Sequence, residues 1–247
     1  MMLAKALAEL PGVRSLHEPE PHLVTEGYLR WAGRMSSEEA AQQLRLKRSS
    51  LIDEARKAGE IYVESSHYCS HLIPELARVF DAKFVFLHRD ARGFTRSGLA
   101  RPHWYPDFDA VERLKTFVRR RFGVQVGNFW HDHRLEPPAE LDTRMKKIAW
   151  LWTEINRVIL RDLATVEDDR KFEIRLDEVG PERLAELARF IGCDFGEADL
   201  NRMVEVAERK PNRRTSAPPE DDEWDESAFL AITAETSRAL GYDEERV

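Results

Sequence analysis

The run KFVFLH at residues 83–88 constrains the fold more than any other stretch of the chain. A strand with one wet face alternates apolar and polar residues. This run is apolar at both parities, so both faces must be covered, as in a parallel sheet between helices. Three further stretches read as strands: 13–17, 60–64 (EIYVE) and 171–176 (KFEIRL). All carry β-branched or aromatic residues. Helical periodicity fills the intervals at 36–57, 70–80, 108–122, 142–164, 181–191, 197–208 and 226–240. Strands alternating with helices imply crossover units and parallel pairing. The expectation is an α/β fold with a central parallel sheet flanked by helices. At 247 residues the chain suits a single domain.

Charge narrows the partners. The net charge is −7, with 42% hydrophobic and 34% charged residues, the balance of a globular protein. Proteins that grip a nucleic-acid backbone usually carry the opposite sign, so no nucleic-acid partner is expected. Any anion site must be a local basic cluster. The two cysteines, Cys69 and Cys193, form no metal spacing and read as reduced thiols. No apolar run reaches the ~18 residues of a membrane span, and no secretory pattern opens the chain. A cytoplasmic location follows from these readings.

Arg89 follows the buried strand directly, at its carboxyl end, where open α/β sheets bind ligands. Asp90 is placed to cap a helix beginning at Ala91. On that helix Phe94, Ser97 and Arg101 share a face, so Arg89 and Ser97 can converge on one anion. Arginine offers phosphate a planar fork, and serine adds a hydroxyl donor. A salt-bridged surface helix, rich in arginine for solubility, is the plainer alternative.

These residues resemble the sulfotransferase superfamily that uses 3′-phosphoadenosine 5′-phosphosulfate (PAPS). In that family an arginine after this strand and a serine eight residues on hold the donor's 3′-phosphate, and Arg89 and Ser97 match in type and spacing. The likeness continues through YVESSHYCSHLIPEL, KIAWLWTEINRVIL, FEIRLDEV, the basic loop KPNRRTS and the closing LGYDEE. It implies a P-loop-type three-layer fold, a PAPS cofactor and transfer to a hydroxyl or amine on a small-molecule or carbohydrate acceptor. Two residues resemble family bases. His67, beyond the strand EIYVE, resembles the histidine of small-molecule enzymes, and an imidazole suits proton transfer near neutral pH. Glu18, in LHEPEP, resembles the glutamate of the bacterial and carbohydrate-type branch, to which the whole sequence is closer. An efficient carboxylate base would need a raised pKa. In KPNRRTS, Arg213 and Arg214 are the expected helpers at the 3′-phosphate; a solvated basic turn is the alternative.

The family opens with a strand and a Ser/Thr-rich loop whose N–H groups cradle the 5′-phosphosulfate. Here Leu3, Ala6, Leu7 and Leu10 recur at helical spacing from the outset, without a cap, and Pro11-Gly12 stops the helix. The expectation is a chain truncated N-terminally, entering at the helix after that loop. A module that keeps only the 3′-phosphate half-site, without transfer, is a rival reading. A kinase-like phosphoryl transferase is another, although GxxxxGK[ST] is absent from the sequence. His131, Asp132 and His133 lack the helical spacing or distant partner of a good metal site, so no metal is expected. Trp104, Tyr105 and Trp130 are candidate acceptor-loop aromatics, whereas Trp150 and Trp152 read as core of a long helix.

Overall fold

The computed structural model describes residues 2–101, 104–105, 137–209 and 224–242. The expected helix at 108–122, the loop aromatic Trp130, the His131–Asp132–His133 cluster and the basic residues Arg213 and Arg214 lie outside the described residues. The elements run α1 (Met2–Leu7), β1 (Val13–His17), α2 (Val24–Trp31), α3 (Ser37–Lys57), β2 (Ile61–Ser65), α4 (Ile73–Phe80), β3 (Phe84–His88), α5 (Ala91–Leu99), α6 (Arg144–Leu163), β4 (Lys171–Arg175), α7 (Pro181–Ile191), α8 (Glu197–Glu208) and α9 (Glu226–Ala239). The chain divides into two compact units, Met1–Arg89 with Ile159–Arg214, and Asp90–Val158 with Thr215–Val247.

The first unit holds the four strands found among the described residues. Each pairs in parallel, as the alternation of strands and helices requires, and among those residues they form two ladders. β1 lies on β2 with Val13 opposite Ile61 and His17 opposite Ser65. β3 lies on β4 with Phe84 opposite Lys171 and His88 opposite Arg175. Both ladders rest on one apolar cluster. Leu3, Ala6, Leu7 and Leu10 of the amino-terminal segment meet Leu184, Leu187 and Ala188 of α7 and Met203 and Ala207 of α8, and Val13, Ile61, Val63, Val85 and Phe172 pack against them. A strand's side chains alternate in direction. Thus Ile61 and Val63 meet that cluster, while Glu64 reaches Arg48 on α3. A second cluster joins Leu23, Ala40, Leu44 and Leu72, from the segments of α2, α3 and α4.

Local chemistry sets the boundaries. Ser36 and Glu39 form a reciprocal capping box at the start of α3, with Ser36 N–H donating to Glu39 Oε2 at 2.8 Å. Pro74 places the start of α4 later than the helical pattern from Ser70 suggests. Proline is tolerated only in a first turn, so α4 begins at Ile73 and residues Tyr68–His71 form a separate 3-10 turn. Against that turn packs α2, which the periodicity did not single out. Gly27 permits the approach: a Cβ there would sit 2.6 Å from the Tyr68 carbonyl oxygen.

In the second unit, Asp90 caps α5 by accepting from the Gly93 N–H. Arg144 caps the other end, donating to the carbonyls of Leu99, Arg101 and Trp104 at 3.3, 3.0 and 3.2 Å. Gly98 sits under Ile148 and Trp104, where a Cβ would come within 2.7 and 2.8 Å. Arg92 forks onto Glu226 at 2.5 and 2.9 Å and lies over the Trp224 and Phe229 rings. These contacts tie α5 to α6 and α9. Trp152 is buried there, as its place in a long apolar helix suggested.

Candidate active site at the strand ends

Parallel strands all point their carboxyl ends the same way, and the β1 and β2 ends carry the two candidate bases. The ladder runs one residue past β1, with Glu18 N–H donating to the Ser65 carbonyl at 3.0 Å. Glu18 then adopts φ 48°, the left-handed region that a non-glycine residue rarely enters. Such backbone strain is found most often at ligand and catalytic sites. The chain turns away, and the carboxylate meets a residue just past β2: Glu18 Oε1 lies 2.8 Å from His67 Nδ1. Sequence reasoning treats Glu18 and His67 as rivals; the structure brings them together. The glutamate side chain is 19% exposed and the imidazole 48%, so the carboxylate sits behind the ring. His67 also packs against the Tyr68 ring, with centroids 3.8 Å apart.

Burial alone would raise the Glu18 pKa. The His67 hydrogen bond and the His67 and His17 charges outweigh it and hold the carboxyl below its ordinary value. That direction is opposite to what a carboxylate base wants. With Nδ1–H donated to a carboxylate, a neutral imidazole carries its lone pair on Nε2. This is the arrangement in which an oriented histidine takes a proton.

Beneath this pair lies a buried ionic network with no counterpart in the sequence reading. Arg48 of α3 is 2% exposed. Its Nε and Nη2 fork onto Glu64 Oε2 and Oε1 at 2.5 and 2.9 Å, and its Nη1 donates to the Pro21 carbonyl at 2.8 Å. Tyr62 OH donates to Glu64 at 2.9 Å and the Cys69 thiol approaches it at 3.6 Å. Desolvation opposes the Arg48 charge, but Glu64 outweighs it and raises the guanidinium pKa further. Burial, then the Glu64 charge, push the Tyr62 phenol and the Cys69 thiol well up, so both stay protonated. One signal was available. Ala41, Leu44, Arg48 and Ala55 recur at helical spacing, all buried, so an arginine occupies an apolar stripe.

The β3 end is built differently. Arg89 follows the strand, partly buried, at the end of the first unit's amino-terminal segment. His88 is buried and its Nε2 meets Glu173 Oε1 of β4 at 3.0 Å. Burial keeps the His88 pKa low despite that carboxylate. Ser97, partly buried on α5, belongs to the second unit. Among the described residues no group of three or more His, Cys, Asp or Glu could hold a metal ion. No described helix is long and apolar enough to cross a membrane.

No protein-family model and no curated protein matches the chain. A likeness to solved structures does exist, to a sulfotransferase domain from the curacin biosynthetic pathway. It is 14% identical, with 98% of this chain and 93% of that one covered at a TM-score of 0.50. This mixed α/β chain therefore has a sulfotransferase-like fold.

Proposed function

We propose that the chain is a sulfotransferase of the bacterial and carbohydrate-type branch, moving a sulfuryl group from PAPS to a hydroxyl or amine acceptor. The observation that carries this is the Glu18–His67 hydrogen bond, at 2.8 Å, beyond paired strand ends in a sulfotransferase-like fold. Bound PAPS would supply an activated sulfuryl group and a phosphate leaving group. In this reading His67 Nε2 takes the acceptor's proton as its oxygen or nitrogen bonds to sulfur. The sulfur–oxygen bond to the bridging phosphate breaks, and adenosine 3′,5′-bisphosphate departs. Glu18 keeps Nδ1–H in place and offsets the imidazolium charge, much as the carboxylate of a hydrolase triad does. Proton transfer of this kind contributes about 10²–10⁴-fold.

Arg89 and Ser97 are assigned to the 3′-phosphate, with Arg213 and Arg214 as helpers. A guanidinium fork and a hydroxyl form a donor set that suits a phosphate. The chain is read as a single sulfotransferase-like domain. The free thiols Cys69 and Cys193 suit the cytoplasm.

The test is to titrate the chain with adenosine 3′,5′-bisphosphate, AMP and ATP by calorimetry, then to follow sulfuryl transfer from labelled PAPS to a panel of acceptors. Preference for the 3′-phosphorylated nucleotide together with transfer supports the reading. The same preference without transfer supports a binding module, and preference for ATP supports a phosphoryl transferase.

A further inference from the structure

The Glu18 carboxylate can serve His67 only if the segment after β1 is held. Glu18 leaves the ladder in the left-handed conformation, and Pro19 and Pro21 follow. Proline has no N–H, so the carbonyls are the main backbone handles there. Two neighbouring cations of α3 grip them. Arg48 Nη1 donates to Pro21 O at 2.8 Å, and Nη2 reaches Pro19 O at 3.4 Å. Lys47 Nζ donates to His22 O at 2.8 Å and to Glu26 at 2.7 Å.

Arg48 is itself clamped by Glu64, which lies on β2 three residues before His67. One guanidinium thus spans both chain segments that carry the pair. The Tyr62 hydroxyl and Cys69 thiol complete the Glu64 carboxylate. A buried ion pair of this kind is weak evidence for stability, because desolvation offsets most of the attraction and an apolar pair of similar volume often does as well. Its value here is geometric.

We infer that Arg48 is a positioning residue: clamped by Glu64, it holds the Pro19 and Pro21 carbonyls and thereby fixes the Glu18 carboxylate on His67 Nδ1. This rests on the reading of Glu18 and His67 as the acid–base pair. Small displacements of such a pair are expensive, since about 1 Å can cost roughly 10²-fold in rate.

The experiment uses the full chain and replaces both partners, Arg48→Met with Glu64→Leu, so that no buried charge is left unpaired. The primary readout is the downfield ring N–H proton of His67, assigned by its loss in His67→Gln and its shift in Glu18→Gln. The expected result is a folded double variant in which this signal is lost or broadened. Turnover falls about 10–10²-fold, with the donor's KM changed less than about threefold. Arg48→Lys, which keeps the charge but not the fork, should show the same spectral loss, and it decides the matter if the double variant does not fold. An unchanged His67 signal with turnover within threefold of wild type would overturn the inference and leave Arg48 a purely structural residue. If the wild-type chain itself shows no His67 signal sensitive to Glu18→Gln, the pair does not exist in solution, and the inference is overturned along with the proposed base.

Discussion

The two parallel ladders end in opposite chemistry. Past β1 and β2 stand a carboxylate and an imidazole, joined at 2.8 Å over a buried Arg48–Glu64 pair. Past β3 stands a cation, Arg89, beside a histidine already engaged with Glu173. The topological position is the same in both. In the proposed reading the β1–β2 end moves a proton and the β3 end meets an anion. That reading needs both ends, so each is a separate place to test it.

The sharpest way to break this contrast is at His67. His67→Ala should lower turnover by about 10²–10⁴-fold with donor binding kept, while Glu18→Gln, which removes only orientation and charge compensation, should cost less. Steady-state kinetics decide it: a larger loss for Glu18→Gln would make the carboxylate the base. The lowered Glu18 pKa also sets the sign of a stability effect. Glu18 stays ionised below its ordinary value, so the stability its contacts contribute is present above that value and is lost as pH falls through the depressed one, which acid melts of wild type and Glu18→Gln would show.

The β3 end is probed by Arg89→Ala. Affinity for a 3′-phosphorylated adenine nucleotide should fall by about 1.5–3 kcal/mol, with AMP much less affected. Equal losses for the two ligands in calorimetry would detach Arg89 from the 3′-phosphate. The second unit gives a control on stability rather than chemistry. Gly98→Ala would push a methyl into Ile148 and Trp104, at 2.7 and 2.8 Å, and should cost about 1–3 kcal/mol in a denaturant melt. A neutral result would show that α5 shifts freely on α6.

The smallest expected effect concerns His71, stacked on Trp31 with ring centroids 4.3 Å apart. Burial, then the His67 and Arg161 charges, lower its pKa to about 3. The unfolded chain therefore takes up a proton that the folded chain refuses between about pH 6.5 and that value. Stability from His71 is fully present above pH 6.5 and declines as pH falls, by about 1.4 kcal/mol for the first full unit. His71→Phe should flatten this slope in melts between pH 7 and 5, and an unchanged slope would place the acid sensitivity elsewhere.

Much of this was legible from residues alone. KFVFLH announces a strand covered on both faces, and β3 occupies most of that run. Ser36 with Glu39, Asp90 ahead of Ala91, and Gly192 after α7 mark helix ends, because capping depends on groups within a few residues of one another. The same locality explains what was missed. Helix α2 is short and stands by packing on the 3-10 turn through Gly27, a contact that its own sequence does not announce.

The candidate site divides in the same way. The sequence by itself determined which side chains follow the strands, because a strand and the residue after it are contiguous: Glu18 after β1, His67 just past β2, Arg89 after β3. It could not choose between Glu18 and His67, which lie 49 residues apart. Only the tertiary structure made them partners, because the register that sets His17 opposite Ser65 brings both strand ends to one place. Arg48 was hidden for the same reason. In the charged run RLKRSS it looks like any solvated arginine, and its role appears only when α3 lies on β2. The strand's alternation then turns Glu64 toward it, and two carbonyls from the Glu18 loop fall within reach.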